Sequence, residues 1–485
     1  MKSKVIYIVV TLMLGFFSCE KPLEEEVFDF VGPTNFYKTA ADAEAALTAV
    51  YSGLQPDEMW NRGVYLIGDM SSDDTFTGEF RGNASRVQID EFTVDENNAV
   101  VADRWNLSYE MINRANGVID RVPAIAMDQA QKDNIVNQAK FLRALVYFYL
   151  VQLYGDVPMK INETEGVSSI GISRTPAETI YNEVIIPDLI AAEALPVTQN
   201  LKGRATQGAA KALLARVYLT RQQWALARDK AKEVIAIPGY DLWENYGDAF
   251  KVANENGKED IFSVQFNNLL GEGGSLQNFF APRGISGIAT NGNGVNEPTL
   301  DIVKSYEPHD ERFTTTYLTN YPLTNGTVRV YDPFKNPYIA KYNEPAPPIG
   351  NVNYPIIRFA DVLLMYAEAE NELSGPTAEA YAAINRVRLR ASLGNLQEKP
   401  GYVESQENFR TELRHERRVE LAFEGHRRFD LVRWGTYIET MRAHASTYYP
   451  AWAGNIDDFE TLFPIPAREI ELNPDITPEQ QNVGY

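Results

Sequence analysis

Cysteine occurs once in the 485 residues, at position 19. One thiol excludes an internal disulfide and a cysteine-based zinc cage. Basic charge is also short, because 45 Lys and Arg against 66 Asp and Glu leave a net charge of −21. A phosphate backbone needs cations to neutralise it, so nucleic acid is not an expected partner. No apolar run is long enough to cross a bilayer, the run of about a dozen residues near the amino terminus included. What is present is ordinary: 44% apolar residues, enough for a sizeable core, which excludes disordered and collagen-like chains. At ~150 residues per domain the length allows about three domains, although helical arrays run longer as one unit.

The amino terminus reads as an address. Lys2 and Lys4 precede the apolar run Val5–Phe17, which has the h-region size of a secretory signal. Ser18 immediately before Cys19 resembles a bacterial lipobox, from which Phe16 and Phe17 depart. The expectation is a lipoprotein signal peptide over residues 1–18, cleavage before Cys19, and lipid on that sulfur, including a fatty acyl chain such as palmitate. A cleaved soluble signal with an incidental Cys19 is the alternative. Each buried methylene contributes ~0.8 kcal/mol, and several chains on one cysteine make a stable anchor. Residues 19–35 form a tether whose Glu24, Glu25 and Glu26 resemble acidic signals for outer-surface lipoproteins.

Helical periodicity marks four stretches of a scaffold over residues 36–266 and 355–485. Ile135, Ala139, Leu142, Val146, Tyr149 and Leu153 draw one stripe, ended by Gly155 and Pro158. A second stretch, Ala177–Ala194, must kink or split at Pro187. The third is a helical hairpin, with Ala210, Leu213, Leu214 and Val217 before a turn and Trp224, Ala227, Ala231 and Val234 after it. The fourth repeats that plan with Val362, Met365, Ala369 and Leu373, then Ala380, Ile384, Val387 and Ala391. Such pairs with alanine at the crossings look like tetratricopeptide units, so the expected fold is mainly α, a helical-repeat scaffold. Trp105, Trp224 and Trp434 are expected in its core.

Two regions rich in glycine and aromatic residues, about 60–95 and 267–354, show no sustained helical period. Loops this long are usually functional, and the ligand is expected there. A sugar site needs flat rings flanked by fixed polar groups, because a pyranose has apolar C–H faces fringed by hydroxyls. Trp60, Phe76 and Phe80 with Asp73, Asp74 and Arg81 supply that mixture, as do Phe279, Phe280, Arg283 and Asn291. Loop packing is the competing role for each ring. Asp73-Asp74 suits calcium, sugar hydroxyls or a solvated loop equally. Gly271-Glu272-Gly273-Gly274 lacks the strand, helix and Lys-Ser/Thr of a phosphate loop.

The segments Arg358–Ala369, Asn385-Arg386-Val387-Arg388, Glu416–Gly435 and Phe463-Pro464-Ile465-Pro466 closely resemble the SusD/RagB family. Phe141-Leu142-Arg143-Ala144 and Leu153–Pro158 fit it too, so the resemblance runs in order along nearly the whole chain. Residues 267–354 match no motif, and that is where such families diverge by ligand. The resemblance implies one SusD-like domain over residues 19–485, lipid-anchored and surface-exposed on the outer membrane. It implies capture of a glycan or another bulky nutrient for a SusC-like TonB-dependent transporter, with no catalytic residue, cofactor or metal.

Phe409, Leu413, Glu416, Glu420 and Phe423 recur at steps of four and three, which turns two carboxylates inward. A glycosidase needs two carboxyls about 5–10 Å apart. Nearby arginines, including Arg417, Arg418 and Arg358, favour a structural ion-pair network instead, since paired carboxylates make poor general acids. His415 and His426, about three turns apart on one helix, are too distant to share a metal. A surface glycoside hydrolase and a repeat scaffold that binds only proteins are the alternative functions.

Overall fold

The computed structural model describes residues 36–78, 81–164, 166, 171–282, 292–322, 327–343 and 350–485. The signal peptide, Cys19 and the tether lie outside the described residues, as do Phe80, Arg283 and Asn291. Helix α1 (Ala40–Ser52) starts at a capping box, in which the Thr39 hydroxyl accepts the Asp42 N–H and the Asp42 carboxylate accepts the Thr39 N–H. The short α2 (Gly63–Gly68) and α3 (Ala84–Asp90) flank β1 (Thr75–Phe76). Two long helices follow, α4 (Ala99–Arg121) and α5 (Gln129–Tyr154). The expected first stretch is α5, and it ends where Gly155 turns at φ 69°. Helices α1 and α4 add to the four periodic stretches. Buried Arg104, Ser108 and Asn116 interrupt the apolar face of α4 and dilute its period.

After the β2 (Val157–Pro158) and β3 (Arg174–Thr175) pair, the second stretch stays helical across a π turn that precedes Pro187, in place of the expected kink or split. It becomes α6 (Ala177–Ile180), a π turn over Tyr181–Ile185, and α7 (Ile186–Ala192), with Pro187 at its start, where a missing N–H costs little. The third stretch forms α8 (Gln207–Thr220) and α9 (Trp224–Ile235). The chain then runs through β4 (Asp260–Val264), α10 (Leu276–Phe280), β5 (Glu297–Pro298), α11 (Leu300–Ser305) and α12 (Arg312–Thr316). The hairpin β6 (Asn320–Pro322) and β7 (Val328–Val330) leads to β8 (Tyr354–Arg358). Helices α10 to α12 fall in a region expected to be irregular, and each is too short to register a period. The fourth stretch forms α13 (Phe359–Ser374) and α14 (Ala378–Arg390), followed by α15 (Gln406–Glu420), α16 (Arg427–Arg433), α17 (Tyr437–Tyr448) and α18 (Ala467–Leu472).

Successive neighbours α1, α4, α5, α7, α8, α9, α13, α14 and α15 pack into one array. Ala209, Ala210, Ala212, Ala227, Ala231, Ala360 and Ala367 are all buried, and such small side chains let backbones approach at the crossings. The protein is therefore mainly α with a tetratricopeptide-like arrangement. Strands β4 and β8 pair antiparallel, Asp260 with Arg358 and Val264 with Tyr354, so the excursion between them leaves and rejoins the array at one place.

Trp105 lies in the core, but Trp224 and Trp434 do not; both are half-buried. The Arg414 and Arg433 guanidiniums lie 4.8 and 4.9 Å from the Trp434 ring centre, and the indole N–H donates to Glu368, so the ring is held at the surface by polar neighbours. Helix α15 ends at Glu420, and the chain turns through Phe423 at φ 62° and Gly425 at φ 73°. His415 and His426 consequently sit on separate elements, not on one helix. Glu416 and Glu420 do face inward. Glu416 contacts Arg312 at 2.5 Å and Arg388 at 3.1 Å, and Glu420 contacts Arg390 at 2.5 Å and Arg312 and Arg358 at 3.1 Å. Burial raises the Glu420 pKa, but Arg390, Arg358 and Arg312 outweigh it and hold the group well below the usual carboxylate range.

Candidate functional site

Strand β1 pairs antiparallel with β5, Thr75 opposite Pro298 and Phe76 opposite Glu297. The pairing joins the two regions read from sequence as ligand-bearing. Two further bonds fix the junction: the Thr75 hydroxyl donates to Asn296 Oδ1 at 2.7 Å, and the Thr299 hydroxyl donates to the Asp73 carbonyl at 2.7 Å.

The expected site residues separate into two groups. Trp60 is fully buried, its ring 4.4 Å from the Arg104 guanidinium and edge-on to Tyr149 at 5.2 Å. Phe279 and Phe280 are buried as well; Phe280 meets Tyr65 at 4.8 Å and stacks on Tyr342 at 5.8 Å. These three rings fill the interior and present no platform, because apolar loop residues with helices beneath them bury in preference to facing water. Asp73 and Asp74 are buried too. Arg427 forks onto Asp73 at 2.7 and 2.8 Å, and Arg418 Nε donates to Asp74 at 2.7 Å. Burial alone would raise both carboxyls. At Asp73 the charges of Arg418 and Arg427 prevail and hold it low, whereas at Asp74 burial prevails, aided by repulsion from Asp73. The pair thus ties the β1 turn to α15 and α16.

Phe76 and Arg81 remain at the surface. Arg81 is exposed and pairs with Glu91. Phe76, half-buried, lies 5.6 Å from Tyr449. Tyr449 stacks on Trp452 at 4.9 Å with 16° between the planes, and Trp452 stacks on Phe92 at 6.3 Å. Phe76, Tyr449, Trp452 and Phe92 therefore form a ladder of rings where β1, α3 and the end of α17 meet, with Trp452 and Phe92 buried in a small apolar cluster beside Leu431, Tyr437 and Met441 and Phe76 and Tyr449 partly accessible. Arg86 on α3 reaches 5.3 Å from the buried Phe279 ring, a contact between α3 and α10. The sequence reading missed Tyr449 and Trp452. Their signal was present in Tyr448-Tyr449-Pro450-Ala451-Trp452, an aromatic cluster released from helix by proline.

Comparison with known proteins agrees with this architecture. Residues 315–485 match the family model described as SusD family, and residues 29–219 match one described as starch-binding associating with outer membrane. The SusD-like protein P2 of Formosa agariphila is 31% identical over the full length of both chains. A SusD superfamily protein from Parabacteroides distasonis superposes with a TM-score of 0.80 at 28% identity, covering 91% of this chain and 99% of that one. A laminarin binding SusD-like protein superposes with a TM-score of 0.77 at 27% identity, covering 93% and 100%. With an array of helix pairs, family motifs in order and a full-length relative above 30% identity, the chain belongs to the SusD/RagB family.

Proposed function

We propose that the protein binds an oligosaccharide, or another bulky nutrient, outside the cell and passes it uncleaved to a SusC-like TonB-dependent transporter. The half-buried outer rings of the ladder, Phe76 and Tyr449, carry the reading, backed by buried Trp452. Flat rings suit the C–H faces of pyranoses, and exposed Arg81 supplies a donor beside them. The laminarin-binding neighbour and the starch-binding family model support a glycan ligand, and the latter supports an outer-membrane location. In this reading lipid on Cys19 holds the protein at that membrane. Glu416 and Glu420 are enclosed and clamped by arginines, which supports binding without hydrolysis. Handover favours modest affinity, since a tightly held ligand leaves slowly.

Calorimetric titration with laminarin-derived and starch-derived oligosaccharides tests the proposal. The wild-type protein binds at least one series, and Tyr449→Ala weakens that binding about tenfold, the loss of one stacked ring. Chromatography after prolonged incubation returns the glycan intact. Shortened products, or unchanged affinity in the variant, would count against the reading.

A further inference from the structure

Beside the face of α17 that packs with Trp452 lies an open pocket of about 510 Å³, within the ~300–1,000 Å³ typical of small-molecule sites. Thr436, Thr440, His444 and Thr447 line it at steps of four, four and three, which is one face of the helix. Asp73, Asp301, Glu439 and Tyr448 also line it. His444 is 6% exposed, and its Nδ1 is buried with no hydrogen-bond partner among the described residues. A buried ring nitrogen left unpaired is costly. The same imidazole packs on Tyr448 at 5.1 Å and on Tyr449 at 5.6 Å, so the pocket and the ring ladder share a wall.

From these contacts we infer that the His444 pocket is a second subsite, which takes an uncharged sugar unit while the ring ladder stacks its neighbour in the same chain. The inference rests on the glycan-binding reading above. Hydroxyls of Thr440, Thr447 and Tyr448 and carboxylates of Asp301 and Glu439 match a ring of vicinal hydroxyls, which donate and accept at once. The Thr447 hydroxyl already donates to the Ala443 carbonyl at 2.9 Å and therefore offers lone pairs. Burial, chiefly, keeps the His444 pKa below its ordinary value, so near neutral pH the ring offers one donor and one acceptor. None of the described lining residues is Lys or Arg. The cations behind the wall are engaged, Arg418 by Asp301 at 2.8 Å and Arg427 by Asp73 at 2.7 Å. Sulfated or carboxylated sugars would meet the carboxylate of Glu439, and at Asp301 a carboxylate whose cation, Arg418, is already shared with Asp73 and Asp74.

The test titrates the full chain with neutral laminari-oligosaccharides of increasing length and with a sulfated glucan of the same backbone. His444→Phe keeps the ring stack and removes both nitrogens, and Thr440→Val removes one hydroxyl at constant shape. Both variants are expected to melt near wild type. Each should bind long oligosaccharides about three- to tenfold more weakly, while the shortest binding oligosaccharide, held by the ladder alone, is unaffected. The sulfated glucan should bind more weakly than the neutral one. Wild-type affinity in both variants alongside loss in Tyr449→Ala would overturn the second subsite and leave the glycan reading intact. Equal or tighter binding of the sulfated glucan would overturn the preference for neutral sugars. No binding of any oligosaccharide by the wild-type protein would overturn both proposals.

Discussion

The carboxyl of Asp90, 3% exposed, accepts the Thr77 N–H at 3.1 Å and the Thr77 hydroxyl at 2.8 Å, and so fixes the end of the β1 turn. Burial nevertheless dominates those bonds and raises its pKa from 3.8 to about 6. An acid with a raised folded-state pKa favours folding in its protonated form. Its contribution is full below 3.8 and is lost as pH rises through about 6. Asp90→Asn should therefore flatten the melting temperature across that window and melt higher than wild type at pH 7, as scanning calorimetry can check. At this scale the sequence was legible for chemistry and not for direction. Trp60, Phe280 and Asp73 are residue types that meet sugars, yet all three are buried, because tertiary neighbours such as Arg104, Tyr342 and Arg427 claim them.

Helices with long apolar stripes were legible because their period repeats over three or more turns, as in α5 and α13. Those with polar residues on the buried face, such as α4, and those of five or six residues, such as α10 to α12, were not. Where two elements meet backbone to backbone, glycine decides the approach. A Cβ on Gly68, at the end of α2, would come within 2.2 Å of the Gly425 carbonyl oxygen, and Gly425 N–H donates to Asp69 at 3.1 Å. The turn after α15 is seated on α2 by that contact. Gly68→Ala should cost about 1–3 kcal/mol in denaturant unfolding, as overpacking does. Gly454→Ala, with open space around it, serves as the control and should change stability little.

Across the whole molecule the family motifs coincide with the buried charge network. Arg358, Glu416, Glu420 and Glu424 belong to the motif segments, and each is nearly inaccessible and ion-paired. The density of Arg and Glu that marks the family in sequence is thus the signature of an interior held by ion pairs. The 267–354 excursion supplies partners to that network, Arg312 to Glu416 and Glu420 and Lys341 to Glu424, yet it carries none of the motif runs. The net charge of −21 belongs to this scale as well. A neutral glycan is indifferent to that field, so a tenfold increase in sodium chloride should shift its measured Kd by less than about twofold.

Helix α9 packs between α8, its neighbour in sequence, and α13, which is synthesised long afterwards. Ala227, Ala231 and Val234 lie buried in the finished protein. A nascent chain stopped after α9 would leave that flank of the helix wet, with apolar surface waiting for a cover still on the ribosome. Completion of the array is therefore deferred until the carboxyl-terminal third emerges, and a chain threaded through a membrane from its amino terminus meets a long delay before it can close.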